Sequence, residues 1–180
     1  MRVMVFGATG ELGRECVAQS LDAGHDVSVY VRNPGKLDPA IRERVTVHEG
    51  DGLDGAAVAK ALASPCDAIL FAIGIDRNSP EDLCTSATRH IFEAMRTNGI
   101  RRFVWCGGGS TLVRKDQVTL GARFVQFFAR TFLGLRHRDK DHQWALLGES
   151  KDLDWVGIRP LQMVKGERRA IGSATTRSAG

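Results

Sequence analysis

The stretch Val3-Met4-Val5-Phe6-Gly7-Ala8-Thr9-Gly10-Glu11-Leu12-Gly13 sets a short apolar run against three glycines and then opens a segment of helical period. The run from Val3 to Phe6 is β-branched and aromatic, which suits a strand. Beyond it Leu12, Cys16, Val17, Ser20 and Leu21 recur at spacings of three and four, so they share one helical face, and Gly24 supplies the stop. A second strand, Val27 to Val31, follows. Strand, glycine turn, helix and strand within about thirty residues make a βαβ unit. In that setting one glycine permits a tight turn, another lets the backbone approach a pyrophosphate, and a third lets helix and strand pack closely, with the first helical amides turned to the phosphates. Gly7, Thr9, Gly10, Glu11, Leu12 and Gly13 are therefore candidate cofactor-binding residues, the alternative being a glycine-rich turn without ligand. Glu11 brings a negative charge to the place where phosphates belong, unless it turns to solvent and simply favours the helix dipole.

The end of the second strand carries the next signal. Nicotinamide cofactors with a free 2′-hydroxyl usually meet an acid about 20 residues beyond the loop. Arg32 stands there instead, with Lys36 in the following turn. A guanidinium holds a 2′-phosphate through paired charge-assisted bonds, whereas a carboxylate repels it, so NADP(H) is expected in preference to NAD(H). A solvated loop arginine is the competing reading.

Further along, short apolar runs keep alternating with helical segments. Val45 to His48 reads as a third strand and Ala56 to Leu62 as a short helix. Ala68 to Ile73 reads as a fourth strand, almost free of polar residues as burial on both faces requires. A longer helix is expected from about Pro80 to Asn98, with Pro80 in its first turn, Glu81 and Asp82 at its positive end and Gly99 beyond it. Arg102 to Cys106 reads as strand five, residues 120–133 and 139–149 as helices, and Asp154 to Ile158 as strand six. The pattern is that of an α/β protein: a Rossmann-like, doubly wound parallel sheet in three αβα layers. No repeat, low-complexity tract or linker divides residues 1–180, which are expected to form one domain.

With 43% apolar and 26% charged residues, the 180-residue chain excludes disorder and collagen-like repeats. Residues 1–158 hold 20 basic and 20 acidic side chains, so the net charge of +4 belongs entirely to residues 159–180 and reports no general nucleic-acid-binding surface. Cys16, Cys66, Cys84 and Cys106 lie far apart without a CxxC pair, and read as reduced, buried thiols. The apolar run before Gly7 is too short for a signal peptide, and the stretch from Phe124 to Leu135 is too short to span a bilayer, so a cytoplasmic protein without integral membrane association is expected. No metal-ligand spacing appears, and the sequence does not set an oligomeric state.

The segments GATGELG (7–13), YVRNPGKL (30–37), EGDGLD (49–54), ILFAIG (69–74) and DLDWVGIRP (152–160) resemble those of the atypical short-chain dehydrogenase/reductase proteins, the NAD(P)-binding group that includes NmrA-like proteins and the flavin/biliverdin reductase type. The resemblance covers nearly the whole chain. It implies that Asp51, Gly52 and Leu53 lie beside the adenine and that Ala72, Ile73 and Gly74 line the cofactor. It likewise implies that Cys106 and Gly107, at the end of strand five, line the cofactor, and that Pro160 and Leu161 approach the nicotinamide. From the residues alone, Asp51 also reads as a helix cap or turn acid, and Cys106 as a buried strand cysteine. The resemblance further implies a final strand and flanking helix on the substrate side beyond Gly180. On that reading the basic tail GERRAIGSATTRSAG (166–180) is loosely held or used for a contact.

Evidence for catalysis is thinner. Short-chain dehydrogenases usually reduce carbonyls with a Tyr-x-x-x-Lys pair, and the one tyrosine, Tyr30, sits on strand two with Pro34 four residues on. Protonation is then left to solvent or to another group, which suits a conjugated small-molecule acceptor such as a flavin or tetrapyrrole, whose ring system spreads the charge left by hydride. The flavin/biliverdin reductase type places a serine near Gly108 and a histidine near Gln162, and neither is kept. Ser110, in the Gly107-Gly108-Gly109-Ser110-Thr111 loop, is the candidate catalytic residue, with a turn-stabilising role as its rival. His137, Asp141 and His142 invite an acid–base reading, but the charges of residues 139–154 are more simply a solvated face. Residues 114–138 interleave six basic side chains with phenylalanines, either a lid over the cleft or a core-packed helix. An oxidoreductase using NADP(H) is the leading expectation. An NmrA-like redox sensor that binds cofactor without turnover is its rival, and the absent tyrosine argues against a sugar-nucleotide epimerase.

Overall fold

The computed structural model describes residues 1–76, 78–106, 138–158 and 176–177. Strands β1 (Arg2–Phe6), β2 (Asp26–Val31), β3 (Thr46–Glu49), β4 (Ala68–Phe71), β5 (Arg102–Cys106), β6 (Asp154–Ile158) and β7 (Thr176–Arg177) form one sheet in the order β3-β2-β1-β4-β5-β6-β7. The first six run parallel, and β7 adds an antiparallel edge to β6. Helices α1 (Glu11–Asp22), α2 (Pro39–Arg42), α3 (Gly55–Leu62), α4 (Leu83–Thr97) and α5 (138–149) connect or cover them.

Side-chain alternation assigns the two faces. Val3 and Val5 of β1, with Val27, Val29 and Val31 of β2, pack against Val17 of α1. Met4 and Phe6 point the other way and join Tyr30, Phe71, Phe103 and Trp105 beneath α3, α4 and α5. Branched side chains on one face and large rings on the other follow from the period of two along each strand. Chain order reverses between β1 and β4, the place where open α/β sheets leave a crevice at their carboxyl ends. Phe6 and Phe71 lie in register there, and the segments that follow them form the floor of the site.

Several expected boundaries move. β4 ends at Phe71, so Ala72 and Ile73 belong to the loop, and β3 runs one residue later than its apolar run. α4 begins at Leu83, leaving Pro80 and Glu81 ahead of the helix and Asp82 at its N-cap position without capping it. The cap comes from far along the chain: the Asp139 carboxylate accepts from the backbone N–H of Cys84 (2.8 Å) and Thr85 (2.9 Å). Glu81 pairs with Arg138 rather than with the helix end. Of the four free cysteines only Cys84 is fully buried, the other three being half-buried. The helix expected over 120–133 lies outside the described residues. In the basic tail, Thr176–Arg177 pairs with β6 at the sheet edge, and the rest of the tail lies outside the described residues.

Candidate nucleotide-binding site

Gly7 leaves β1 with φ +85°, a conformation costly for any other residue, and its Cα faces the next strand's loop so closely that a Cβ would sit 2.7 Å from the Ala72 carbonyl carbon and 2.8 Å from Ile73 N. At Gly13, a Cβ would overlap the Gly7 carbonyl oxygen and lie 2.8 Å from Ala8 Cα. Both glycines are explained by the protein packing on itself. Gly10 is not: its φ of −77° and ψ of 165° suit any residue, and the nearest atom to an added Cβ is Gly7 O at 3.5 Å. Gly10 is also the N-cap of α1 and gives no side-chain cap, so the amides of Glu11, Leu12 and Gly13 keep the unfilled donors of a helix start. Space without a Cβ beside uncapped amides is a cradle suited to an anion. Thr9 is half-buried in the turn, and Glu11 is exposed, so its charge is turned to solvent.

The end of β2 gathers cations. Arg32, ahead of the turn Pro34–Lys36, and Lys36, within it, are both exposed, and the start of the turn is fixed by the Asn33 side chain accepting from Gly35 N (2.9 Å). Arg14, on α1, reaches the same turn and donates to the Lys36 carbonyl at 3.5 Å. Across the crevice, Asp76 in the loop after β4 is held below the usual carboxylate range by the Asn78 amide, by the Ser79 hydroxyl and, more weakly, by the charge of Arg32. Arg32 is thus within electrostatic reach of the β4 loop.

Asp51, Gly52 and Leu53 follow β3 in a tightly bonded turn. Asp51 Oδ1 accepts from Leu53 N (3.0 Å), the Tyr30 hydroxyl donates to the Asp51 carbonyl (3.0 Å), and His90 Nδ1 donates to the Gly52 carbonyl (3.1 Å). The cap of α3 is Asp54, so of the two local roles open to Asp51 it takes that of the turn acid. A Cβ on Gly52 would lie 3.6 Å from Ile73 Cδ1, which brings this turn to the β4 loop. Burial pushes the Tyr30 phenol up to about 12, with Asp54 and Asp51 adding to the effect.

At the other end of the crevice, α5 inserts a polar seam beside the ends of β4 and β5. Asp139 is 1% exposed, and besides capping α4 its Oδ1 accepts from the Thr85 hydroxyl (2.6 Å). Buried Gln143 accepts from Trp105 Nε1 (2.7 Å) and donates to Thr88 Oγ1 (2.7 Å). Lys140 donates to Gln143 Oε1 (3.0 Å), its ammonium standing 5.5 Å from the centre of the Phe71 ring and 5.9 Å from that of Trp105. Burial raises the Cys84 thiol to about 11 even with Lys140 opposing it, and burial likewise raises Cys106. Neither thiol is a thiolate near neutral pH. The 139–154 segment is therefore not simply a solvated charged face, although His142 does face solvent.

Residues 7–179 match a family described as NAD(P)H-binding. The chain belongs to the NAD(P)H-binding family. Among its relatives, the 3-diazoavenalumate denitrifying reductase of a Streptomyces species is 36% identical over 58% of this chain, a match spanning 36% of that enzyme. The uncharacterized protein YwnB of Bacillus subtilis is 24% identical over 97% of this chain and 83% of its own length. The anaerobillin reductase ChuY of Escherichia coli O157:H7 shares the fold at a TM-score of 0.69, with 21% identity over 89% of this chain and 72% of its own.

Within the NAD(P)H-binding frame, contacts join the glycine turn to Ala72 and Ile73, and Ile73 to Gly52; the charge of Arg32 reaches Asp76 in the β4 loop, and Gly74 continues that loop, exposed. Cys106 ends β5 on the side where Lys140 stands. Gly107, Ser110, Pro160 and Leu161 lie outside the described residues, as do His137 and the basic and aromatic run up to it. Sequence reasoning missed Arg14, His90, Asp139 and Lys140. Only the acidic and basic pair at 139–140, ahead of an apolar helix face, hinted at the last two. Among the described residues no helix is long and apolar enough to cross a membrane.

Proposed function

We propose that residues 1–180 act as one domain that binds NADPH in preference to NADH and reduces a conjugated small-molecule acceptor of the flavin or tetrapyrrole kind. The observation that carries the reading is the cradle at Gly10, where a Cβ-free surface meets uncapped α1 amides within reach of three cations, Arg14, Arg32 and Lys36. The amides and the open face of Gly10 receive a pyrophosphate, the cations hold a 2′-phosphate, and the Asp51 turn receives the adenine. A bound reduced nicotinamide supplies a hydride. Lys140 then holds the negative charge left on the acceptor, and the proton that completes the reduction comes from solvent. The names of the Streptomyces and Escherichia coli relatives, both reductases, support this direction.

A second reading has its own observation. Tyr30 is the chain's one tyrosine, and its hydroxyl is committed to the Asp51 carbonyl, so no tyrosine acid serves the acceptor. A redox-sensing binder without turnover is consistent with that. Titrating NADPH and NADH, then mixing NADPH with FMN, riboflavin and biliverdin, separates the readings. Tighter NADPH binding that Arg32→Ala erases, with steady oxidation by one acceptor slowed by Lys140→Met at unchanged NADPH affinity, supports the reductase. Tight binding with no oxidation across the panel supports the sensor, and equal affinity for the two cofactors removes the role given to Arg32.

A further inference from the structure

Gln143 is 0% exposed and joins three elements. From α5 its Oε1 accepts from Trp105 Nε1 of β5 (2.7 Å) and from Lys140 Nζ, one turn back on its own helix (3.0 Å), while its Nε2 donates to Thr88 Oγ1 of α4 (2.7 Å). The partners set the orientation of the amide. An indole N–H only donates, so the amide oxygen must face Trp105, and the amide nitrogen is turned to Thr88. Trp105 has no room to shift: it is fully buried, its ring centre lies 5.6 Å from that of Trp144, and a Cβ on Gly157 would lie 3.1 Å from its Cε3. The second lone pair of Oε1 is thereby fixed in direction, and the Lys140 ammonium takes it.

Satisfying one indole N–H asks only for an acceptor. Gln143 offers a second acceptor direction, aimed at a long and flexible side chain, and the ammonium it holds stands 5.5 Å from the centre of the Phe71 ring and 5.9 Å from that of Trp105, at the ends of β4 and β5. The chemical type of the acceptor matters as much as its place. A carboxylate at this position would hold the ammonium and cancel its charge, whereas an amide oxygen holds it and leaves the charge intact. The neighbouring carboxylate, Asp139, is engaged through both oxygens with the start of α4, one accepting from Cys84 N and the other from Thr85 N and the Thr85 hydroxyl. We propose that Gln143, oriented by Trp105 and Thr88, is a positioning residue that keeps the Lys140 ammonium at the ends of β4 and β5 without neutralising it. The inference rests on the reductase reading above, in which Lys140 steadies the charge that hydride leaves on the acceptor. A cation already in place when that charge develops acts without reorganising, which is where preorganised sites gain rate.

Two substitutions test it in the full chain. Gln143→Met fills the same space without an oxygen acceptor, and Gln143→Glu keeps the acceptor but adds a negative charge, with the Thr88 hydroxyl able to turn and donate to it. NADPH oxidation by FMN, riboflavin and biliverdin is measured for each, alone and combined with Lys140→Met, beside NADPH affinity. Each single variant should lower kcat about tenfold, the worth of one hydrogen bond to a charged group, with NADPH bound as before. Neither should slow the Lys140→Met chain further, because Gln143 acts only through that lysine. In a chain carrying isotope-labelled lysine, the Lys140 ammonium resonance should be protected from exchange with water, and Gln143→Met should abolish that protection. A Gln143→Glu chain at the wild-type rate overturns the inference, since glutamate serves the indole N–H as well as glutamine does. A loss of rate that persists in the Lys140→Met background overturns it too, as does protection that survives in a folded Gln143→Met chain. A chain that binds NADPH and oxidises it with none of the acceptors overturns the reductase reading and this inference with it, whereas any of the three contrary results in a chain that turns over removes this inference alone.

Discussion

Gly10 and Gly13 look interchangeable in the sequence and should respond oppositely to the same substitution. At Gly10, alanine meets an ordinary backbone conformation and open space, with Gly7 O at 3.5 Å. Restricting the unfolded chain favours the alanine variant by about 0.4–1 kcal/mol, and losing glycine at an N-cap costs a similar amount, so Gly10→Ala should fold with stability within about 0.5 kcal/mol of wild type. Its added methyl occupies the cradle, and NADPH affinity should fall about 100-fold, about 2.7 kcal/mol, the worth of one or two hydrogen bonds to a charged phosphate. At Gly13 the added carbon overlaps the Gly7 carbonyl oxygen and lies 2.7 Å from the carbon of that carbonyl. These are backbone atoms that cannot rotate away, so Gly13→Ala should cost about 1–3 kcal/mol, at roughly 2–4 °C of melting temperature per kcal/mol. Thermal unfolding and NADPH fluorescence titration on both variants give the four numbers needed. Wild-type affinity in a folded Gly10→Ala chain refutes the placement of the pyrophosphate, and an unchanged melting temperature for Gly13→Ala refutes the close approach of helix and strand.

Other consequences can be measured without a cofactor. Asp139→Ala strips the α4 N-terminus of its cap and leaves the N–H groups of Cys84 and Thr85 and the Thr85 hydroxyl without that acceptor, so the urea midpoint should fall by an amount equal to about 2–4 kcal/mol. Asp139→Asn, with one acceptor oxygen retained, should lose less. Asp67, bonded to the Arg2 side chain and backbone amide, is held at about 2 against an ordinary 3.8. Its contribution to stability is therefore complete above about pH 4 and lost as pH falls towards 2. Asp67→Asn should flatten that part of the acid unfolding curve, and a curve of unchanged slope would refute the assignment. Because Tyr30 is the one tyrosine and burial pushes it up to about 12, the native chain should show almost no tyrosinate absorbance at pH 10, where the urea-unfolded chain is about half ionised. The neutral phenol favours the fold, so stability should drop between pH 10 and 12, and Tyr30→Phe should remove that part of the loss.

What the sequence disclosed and what it hid divide along contact range. The run Val3–Phe6, the three glycines and the α1 face are set by neighbours within a few residues, and they located β1, the turn and α1 to within one residue. The reversal of strand order between β1 and β4 is a long-range feature, compatible with right-handed βαβ crossovers but not set by any local signal in the sequence. The start of α4 was misread because its local signals, Pro80, Glu81 and Asp82, resemble a helix start, while the actual cap is 54 residues away in Asp139. Arg14 was hidden for a similar reason. On a helical wheel it faces outward, and only the turn after β2, folding back to present the Lys36 carbonyl, gives it a partner.

The two halves of the crevice consequently differ in how they are built. The half beside the glycine turn is built from the turns that follow β1, β2 and β3. The far half depends on α5 docking its first turn into α4, since Asp139 and Gln143 together fix the helix that carries Lys140 to the ends of β4 and β5. The Lys140 ammonium is set against the Phe71 and Trp105 rings and the Gln143 amide oxygen, and both it and the Asp139 carboxylate act on the Cys84 thiol. The chain's one tyrosine is meanwhile spent as a girder beside Asp51. A site with a fixed cation and no tyrosine acid can steady negative charge but cannot deliver a phenolic proton. On the function proposed above, the acceptors such a site serves are those whose own conjugation carries that charge until water protonates them.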